Sequence, residues 1–389
     1  MSQILFNILD LALLFTIYQC LLFTFFILLI KKGKFQSNIL LTLFLLCYVA
    51  IPLDTLINFG EEFRQFAIDF SPNVFYVFGT AYWLEAVFLL FYVRSLVYKG
   101  FVIKKVDLLY FLPFIVYVIY EANVFYTLDM QTKQAILTGY QIEAEPAYTR
   151  YINLFRECFR TFCGILCLLE IRRYQKKIKD NLADIEDVDL TWLKILTIGF
   201  LVIKAQAVLT TLGYMTSIDL SIKFNYAVIG QLSNFMVMCL ISLLIFFSLS
   251  VSKLFYGVDT AKTDVQEKQN IAPEQVNILT SHMAVEKSYL DPLLTLDSLA
   301  AKSHIPARQL SQLINRHFEK NFFEYINGYR IEEAKQLLAD KDNEKVTIIE
   351  IMAKVGFNSK ATFNTFFKKN VGVTPTQFRK EQLQQQSML

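Results

Sequence analysis

The chain has 389 residues, of which 54% are hydrophobic and 15% are aromatic, and its formal net charge is +3. This composition is too apolar for an ordinary soluble protein, while the length leaves room for two or three domains. Long apolar runs fill the chain up to about residue 250, and a charged, helical pattern follows. The distribution of charge is therefore more informative than its average.

Seven apolar segments are long enough to cross a membrane, since a helical span needs about 20 apolar residues. They are Ile4–Ile30, Asn38–Asn58, Asn73–Tyr98, Val106–Phe125, Tyr148–Leu169, Leu190–Met215 and Phe224–Ser250. The first is too long for a signal peptide and has no basic residue ahead of it. All six cysteines lie in these runs. We expect them to pack as small hydrophobes, and this includes Cys163 and Cys167, which share a helix face.

Basic residues alternate between the loops that join these spans. The loops after the first, third and fifth spans are rich in lysine and arginine, whereas the loops after the second, fourth and sixth carry only Arg64, Lys133 and Lys223. Basic loops stay in the cytoplasm, so the N-terminus is predicted to lie outside. With seven spans, the C-terminus is then cytoplasmic, and the location is the bacterial inner (cytoplasmic) membrane.

Several ionisable residues fall inside the predicted spans: Asp10, Asp54, Glu85, Glu121, Arg156, Glu157, Arg160 and Lys204. Charges within a membrane face one another or a water-filled cavity, because exposure to lipid is costly. Two hypotheses remain open and are compatible. Glu85, Glu121, Arg156, Arg160 and Lys204 form a pocket for an anionic ligand, or the carboxylates neutralise the cations as ion pairs between helices.

The predicted domains are a transmembrane domain over residues 1–255, a linker over 256–273 and a soluble helical domain over 274–389. In the soluble domain Thr295 is a candidate N-cap for a helix ending at Lys302, and Pro306 opens the next helix, up to Phe318. A longer helix is predicted over Phe323–Ala339. The first two helices form one helix-turn-helix unit.

A second helix-turn-helix unit is predicted from Ile348–Val355 and Ser359–Lys369, with Gly356 in the turn between them. No acidic residue occurs between Ile351 and Lys380, although six basic residues do. A surface with one sign of charge on such a unit is what attraction to DNA phosphates requires. The full predicted fold is thus all-α: a seven-span bundle followed by two helix-turn-helix units on a long connecting helix.

Residues 285–382 resemble the DNA-binding domain of the AraC/XylS family of transcription regulators. The residues that carry the resemblance are Leu296, Leu299, Ala300, Leu310, Ser311, Leu313, Phe322, Tyr325, Ile326, Arg330, Ala334, Leu337, Leu338, Ile351, Gly356, Phe357, Ser359, Phe363, Phe367, Lys368, Gly372, Pro375 and Arg379. Met352 and Phe366 are bulkier than is usual in the family, so local repacking is expected. In architecture, the apolar half is similar to membrane-bound AraC-type regulators of Bacteroidetes.

The resemblance implies two units that bind adjacent major-groove segments of double-stranded DNA, usually as a homodimer that alters transcription together with RNA polymerase. The implied base-facing residues are Arg308, Ser311, Gln312, Lys360, Ala361, Thr362, Asn364 and Thr365. Arginine suits guanine, and glutamine or asparagine suits adenine. Lys354, Lys368, Lys369 and Arg379 are expected to hold phosphates.

The leading hypothesis is a membrane-embedded regulator, often an activator, whose bundle contacts lipid and senses a small-molecule or peptide signal. No cofactor, metal or enzymatic activity is expected, because residues 1–255 carry no metal-ligand cluster, nucleophile motif or phosphate loop. The alternatives are a transporter-like bundle and a bundle that tethers the regulator and recruits a partner membrane protein. An internal repeat, which would favour a transporter, is not evident.

Overall fold

The computed structural model describes residues 8–30, 35–98, 100–138, 147–185, 190–220, 226–250 and 273–387. Within these ranges the chain is helical and contains no β-strand, which confirms the all-α prediction. The chain divides into two compact units, called unit 1 and unit 2 below. Unit 1 comprises Met1–Arg172 and Leu190–Asp259, and unit 2 comprises Arg173–Asp189 and Thr260–Leu389.

Unit 1 is built from long apolar helices with short irregular segments between them. The α-helices are α1 (Ile8–Ile30), α2 (Phe35–Phe59), α3 (Glu61–Phe70), α4 (Glu85–Val97), α5 (Leu112–Glu121), α6 (Met130–Thr138), α7 (Ala147–Asn181), α8 (Thr191–Leu220) and α9 (Tyr226–Ser250). Turns of 3-10 helix precede α4 and α5, and a π-helical segment, Ala122–Tyr126, follows α5. The end of α7, beyond Arg172, belongs to unit 2.

Six segments of the described chain are long and apolar enough to cross a membrane. They are Asp10–Leu29, Phe35–Phe59, Pro72–Val97, Lys105–Tyr126, Thr191–Ser217 and Ile229–Phe246. The predicted fifth span, Tyr148–Leu169, lies in α7 but is not among them. That part of α7 carries Arg150, Arg156, Glu157 and Arg160, so it is less apolar than the other six segments. The count of seven spans therefore stays a prediction.

The short helices α3 and α6 were not predicted from the sequence. They pack together around Phe75, which is completely buried and forms a small core with Phe125 and Leu137. Arg64 of α3 donates hydrogen bonds to the carbonyls of Asn58 and Leu137. Neither helix has the length or the continuous apolar character of a span. The hydrophobic pattern used to find spans therefore missed both.

Besides the end of α7 and two short 3-10 helices, the described part of unit 2 contains seven α-helices: α10 (Pro273–Val285), α11 (Leu296–Ser303), α12 (Ala307–His317), α13 (Phe322–Ala339), α14 (Ile348–Lys354), α15 (Lys360–Val371) and α16 (Pro375–Ser387). The predicted helices match α11 to α15 within two residues at each end. The helix before them, α10, ends at Val285, and Lys287 then adopts a left-handed conformation with φ of 44°. Most of the predicted linker lies outside the described residues.

The connecting helix α13 serves two hydrophobic cores. Near its start, Phe322, Tyr325 and Ile326 pack into the first core, which also holds residues of α10, α11 and α12. Further along, Ile331, Ala334 and Leu338 pack into the second core, together with α14 and α15. Each helix-turn-helix unit is therefore folded directly onto one part of the same rigid element.

Candidate nucleic-acid interface

The first helix-turn-helix unit is formed by α11 and α12. Thr295 caps α11 as predicted: its side chain accepts a hydrogen bond from the Ser298 amide, and the Ser298 hydroxyl accepts one from the Thr295 amide. His304 then takes a left-handed conformation with φ of 55°, and Pro306 stands at the N-cap of α12. Buried Leu310, Leu313 and Ile314 hold α12 against the core, which leaves its opposite face outward.

The second helix-turn-helix unit is formed by α14 and α15, and its helices are capped in the same way. Thr347 and Glu350 form a capping box at α14, with the Thr347 amide donating to Glu350 at 2.8 Å. These bonds to Thr347 hold the pKa of the Glu350 carboxyl below its usual value. Ser359 caps α15 by accepting from the Thr362 amide. Both helices therefore begin at residues whose side chains satisfy free amides at the helix start.

Gly356 makes the turn between α14 and α15. Its φ of 88° is in the left-handed region, which a residue with a side chain adopts only at a cost. A Cβ atom at this position would lie 2.7 Å from the carbonyl oxygen of Leu290, which belongs to the turn after α10. The predicted turn glycine is thus required by both backbone conformation and close packing.

Gly356→Ala is expected to destabilise unit 2 by more than about 2 kcal/mol, since it adds a backbone clash to an unfavourable φ. Gly372→Ala is a matched control, because Gly372 has φ of 89° but no atom within 4 Å of the added Cβ. That change should cost only about 1 kcal/mol. Thermal unfolding of the two variants measures the difference, and equal losses would show that the Leu290 contact is unimportant.

The predicted base-facing residues lie on the outer faces of α12 and α15. Arg308, Lys360, Ala361 and Thr365 are exposed, whereas Ser311, Gln312, Thr362 and Asn364 are half-buried. Asn315 donates weakly to the Ser311 hydroxyl, at 3.4 Å. The structure thus places these side chains on two separate helices, at positions that leave them accessible, and their roles toward DNA remain predictions.

The predicted phosphate-binding residues differ in their surroundings. Lys354, Lys368 and Lys369 are exposed, and Lys369 lies 3.7 Å from Glu324 of α13. Arg379 is half-buried in α16, where its Nη1 donates to the Glu344 carbonyl at 3.5 Å. Burial lowers the pKa of this guanidinium, and its Nε and Nη2 have no partner within the described residues. Arg379 therefore differs from the three lysines in offering fewer accessible donors.

Met352 and Phe366, the two bulky residues of the second helix-turn-helix unit, both fit into the fold. Met352 is 7% exposed and packs into the second core. The ring of Phe366 stands edge-on to that of Phe323, with centroids 5.2 Å apart. Phe323 lies at the start of α13, so the extra bulk of Phe366 joins α15 to the connecting helix. The sequence indicated that repacking would occur here but not which partner would provide it.

A buried polar network holds the turn after α10 against α13. Arg330 is 1% exposed, and it donates to the carbonyls of Tyr289 at 2.7 Å and Asp291 at 2.8 Å. Burial lowers its pKa to about 10, which leaves it charged at neutral pH. On the same helix, Glu333 accepts from Lys287 and Tyr289. Burial acts to raise the pKa of Glu333, but these bonds hold it below its usual value.

In unit 1 the structure brings together most of the predicted intramembrane charges. Glu85 of α4 is completely buried and accepts from Arg160 of α7 at 2.6 Å and from Lys204 of α8 at 2.7 Å. Glu157 accepts from both Arg156 and Arg160. Glu121 is buried at the end of α5. The ion pairs of Glu85 join different helices, whereas those of Glu157 lie within α7, and a ligand pocket at these residues stays a prediction.

Comparison with protein families finds a helix-turn-helix domain over residues 299–381. The chain is 33% identical over 86 residues to the probable transcription factor PqrA of Proteus vulgaris, and this match covers 22% of the chain and 68% of that relative. The chain belongs to the AraC-type helix-turn-helix family. The expected family of the C-terminal domain is thereby confirmed, and the matched residues run from within α11 to within α16.

Two other relatives match stretches of 119 and 121 residues. The melibiose operon regulatory protein of Escherichia coli strain K12 is 26% identical over 119 residues, which cover 31% of the chain and 38% of that protein. The uncharacterized regulator YtdP of Bacillus subtilis is 30% identical over 121 residues, which cover 31% of the chain and 14% of that protein. The chain thus spans less than half of the length of these two relatives. No solved structure matches the chain.

Proposed function

We propose that this protein is a transcriptional regulator that binds double-stranded DNA through both helix-turn-helix units. The observation that carries the proposal is the pair of capped units folded onto the single helix α13, each with an outward-facing second helix. The surface from Ile351 to Lys380 lacks acidic residues, which favours contact with phosphates. By the same proposal the protein binds as a homodimer and acts on RNA polymerase as an activator.

Arg308→Ala and Lys368→Ala are expected to weaken DNA binding in different ways. Arg308 is proposed to read a base, so its loss should cost about 1–3 kcal/mol at one operator position and little on other sequences. Lys368 is proposed to hold a phosphate, so its loss should weaken binding to every sequence and lower the salt slope by about one unit. Titrations of a selected duplex and its single-base variants at several salt concentrations distinguish the two. An equal loss on every sequence for Arg308→Ala contradicts the base-reading role.

Unit 1 is proposed to hold the protein in the cytoplasmic membrane, with the DNA-binding domain in the cytoplasm. Large apolar side chains on the outer faces of its helices support this, since Phe25 is 59% exposed and Ile119 is 56% exposed. An apolar surface of this extent is unfavourable in water and favourable against lipid tails.

The position of α7 decides the topology. Six crossings would leave both ends of the chain on the same side of the membrane, whereas a seventh crossing by α7 places them on opposite sides. We expect single cysteines at Gln3 and Gln384, in a cysteine-free background, to react from opposite sides with a membrane-impermeant thiol reagent. Labelling of both from the cytoplasmic side of inverted vesicles would mean an even number of crossings.

The signal is proposed to act on unit 1. The cluster of Glu85, Glu157, Arg156, Arg160 and Lys204 has two carboxylates and three cations, which favours an anionic group as the ligand. A second candidate function is a bundle that is transporter-like or only tethers the regulator and recruits a partner. Removal of residues 1–172 and 190–255, which keeps residues 173–189 as part of unit 2, tests these alternatives: constant, signal-blind regulation supports a sensor, and an unchanged response to the signal eliminates it.

A further inference from the structure

A short segment of the chain between α7 and α8 is part of unit 2. We call Leu182, Ala183 and Asp184 the strap. Leu182 pairs with Thr295 in an isolated antiparallel bridge, and the Ala183 amide donates to the Leu294 carbonyl at 3.3 Å. Thr295 is the N-cap of α11, so the strap lies along the start of the first helix-turn-helix unit.

The strap takes part in the buried interior of unit 2. Ala183 is 1% exposed and packs in the first core. Its carbonyl accepts from Asn327 Nδ2 at 3.1 Å and from Arg330 Nη1 at 3.5 Å. Both of these α13 side chains are almost completely buried, and buried polar groups require partners. The strap therefore supplies an acceptor to the polar network that holds α13, which an incidental surface contact would not do.

At its other end the strap contacts the second helix-turn-helix unit. The Asp184 carboxylate accepts a hydrogen bond from Asn358 Nδ2 at 2.8 Å. Asn358 is exposed and directly precedes Ser359, the N-cap of α15. The start of a helix attracts anions through its free amides and its dipole, and DNA-binding proteins use such positions to hold phosphates. Asp184 thus places a negative charge beside the helix that is proposed to read DNA.

We propose that the strap is an autoinhibitory contact in which Asp184 competes with a DNA phosphate for Asn358 and the start of α15. The proposal rests on the proposed DNA binding. The strap follows directly on α7, whose earlier part up to Arg172 belongs to unit 1. A change in α7 therefore reaches the strap through continuous helix, independently of the segment between α9 and α10.

The first test compares DNA affinities of the full chain in lipid nanodiscs. The probe is a fluorescent duplex recovered from random-sequence DNA by repeated selection with the wild-type chain. Asp184→Asn removes the competing charge and should tighten binding about three- to tenfold. Asp342→Asn is the matched control, since this exposed aspartate of unit 2 contributes its backbone amide, and not its carboxylate, to the hydrogen bond with Asp340. Equal affinities for the two variants would overturn the proposal.

The second test follows the strap directly. Cysteines at Asp184 and Asn358 are joined by a short bifunctional thiol reagent, and the 184–358 link is quantified by mass spectrometry. All six native cysteines lie at or before Cys239, outside the helices of unit 2. The link should form rapidly without DNA and slowly with saturating duplex. No link without DNA, or an unchanged rate while duplex is bound, overturns the strap proposal. Failure of every variant to bind duplex would instead overturn the proposed function.

Discussion

Arg330→Ala is expected to destabilise unit 2 by about 3–5 kcal/mol, because it removes a buried charge whose partners stay behind. Arg330 donates to backbone carbonyls of Tyr289, Asp291 and Ala183, and its guanidinium lies 5.6 Å from the centre of the Phe357 ring. Alanine leaves these carbonyls without a donor and opens a cavity. Hydrogen exchange of the full chain should show protection of α13 reduced at least about 100-fold.

Two further variants separate the causes of this loss. Gln336→Ala changes an exposed residue of the same helix and should leave exchange nearly unchanged, since alanine favours helix. Arg330→Lys keeps the charge but cannot donate in three directions at once, so it should lose most of the stability. If Arg330→Lys behaves like the wild type, the charge and not the hydrogen-bond geometry holds the turn.

Glu85→Ala is expected to destabilise unit 1 by about 3–5 kcal/mol, because Arg160 and Lys204 then remain buried without the carboxylate they share. Arg160 keeps Glu157 as a partner, whereas Lys204, at 3% exposure, loses its 2.7 Å contact. Thermal unfolding of the full chain in detergent, followed by size-exclusion chromatography, measures the loss.

The matched control is Glu62→Ala, which removes an exposed glutamate from α3. Its unfolding temperature should stay within the error of the wild type, since exposed charges contribute little. The double variant Glu85→Leu with Lys204→Leu removes one carboxylate and one cation together. We expect it to recover part of the stability, because apolar replacement of a buried pair is often tolerated. A double variant as unstable as Glu85→Ala would show that Lys204 is not the group left uncompensated.

The helices of unit 2 could be predicted closely from the sequence, because local chemistry determines where they begin and end. Thr295, Thr347 and Ser359 each have a side-chain oxygen that can cap a helix. Gly356 is the residue type that adopts the left-handed φ of its turn without strain. These signals act over three or four residues, so they can be read along the chain. The outward position of Arg308 and Lys360 was implied by the resemblance to the AraC/XylS family.

The features that escaped prediction depend on contacts between distant residues. Nothing near Ala183 indicates that its carbonyl faces Asn327, because the two are 144 residues apart. The partner of Phe366 and the burial of Arg379 likewise depend on how α13 and α16 pack. The final helix, α16, begins at Pro375 and has no strong apolar face, so periodicity alone did not indicate it. Within unit 1, the 3-10 and π-helical segments have the same apolar composition as regular spans.

The connecting helix α13 also constrains evolution of the DNA target. Its 18 residues form one rod about 27 Å long, and both cores are anchored on it. The length of α13 therefore sets the distance and the rotation between α12 and α15, the two helices proposed to read DNA. One added residue in α13 would rotate one of them by about 100° relative to the other. Changes in operator sequence can accumulate base by base, whereas a change in the spacing of its two halves requires rebuilding both cores at once.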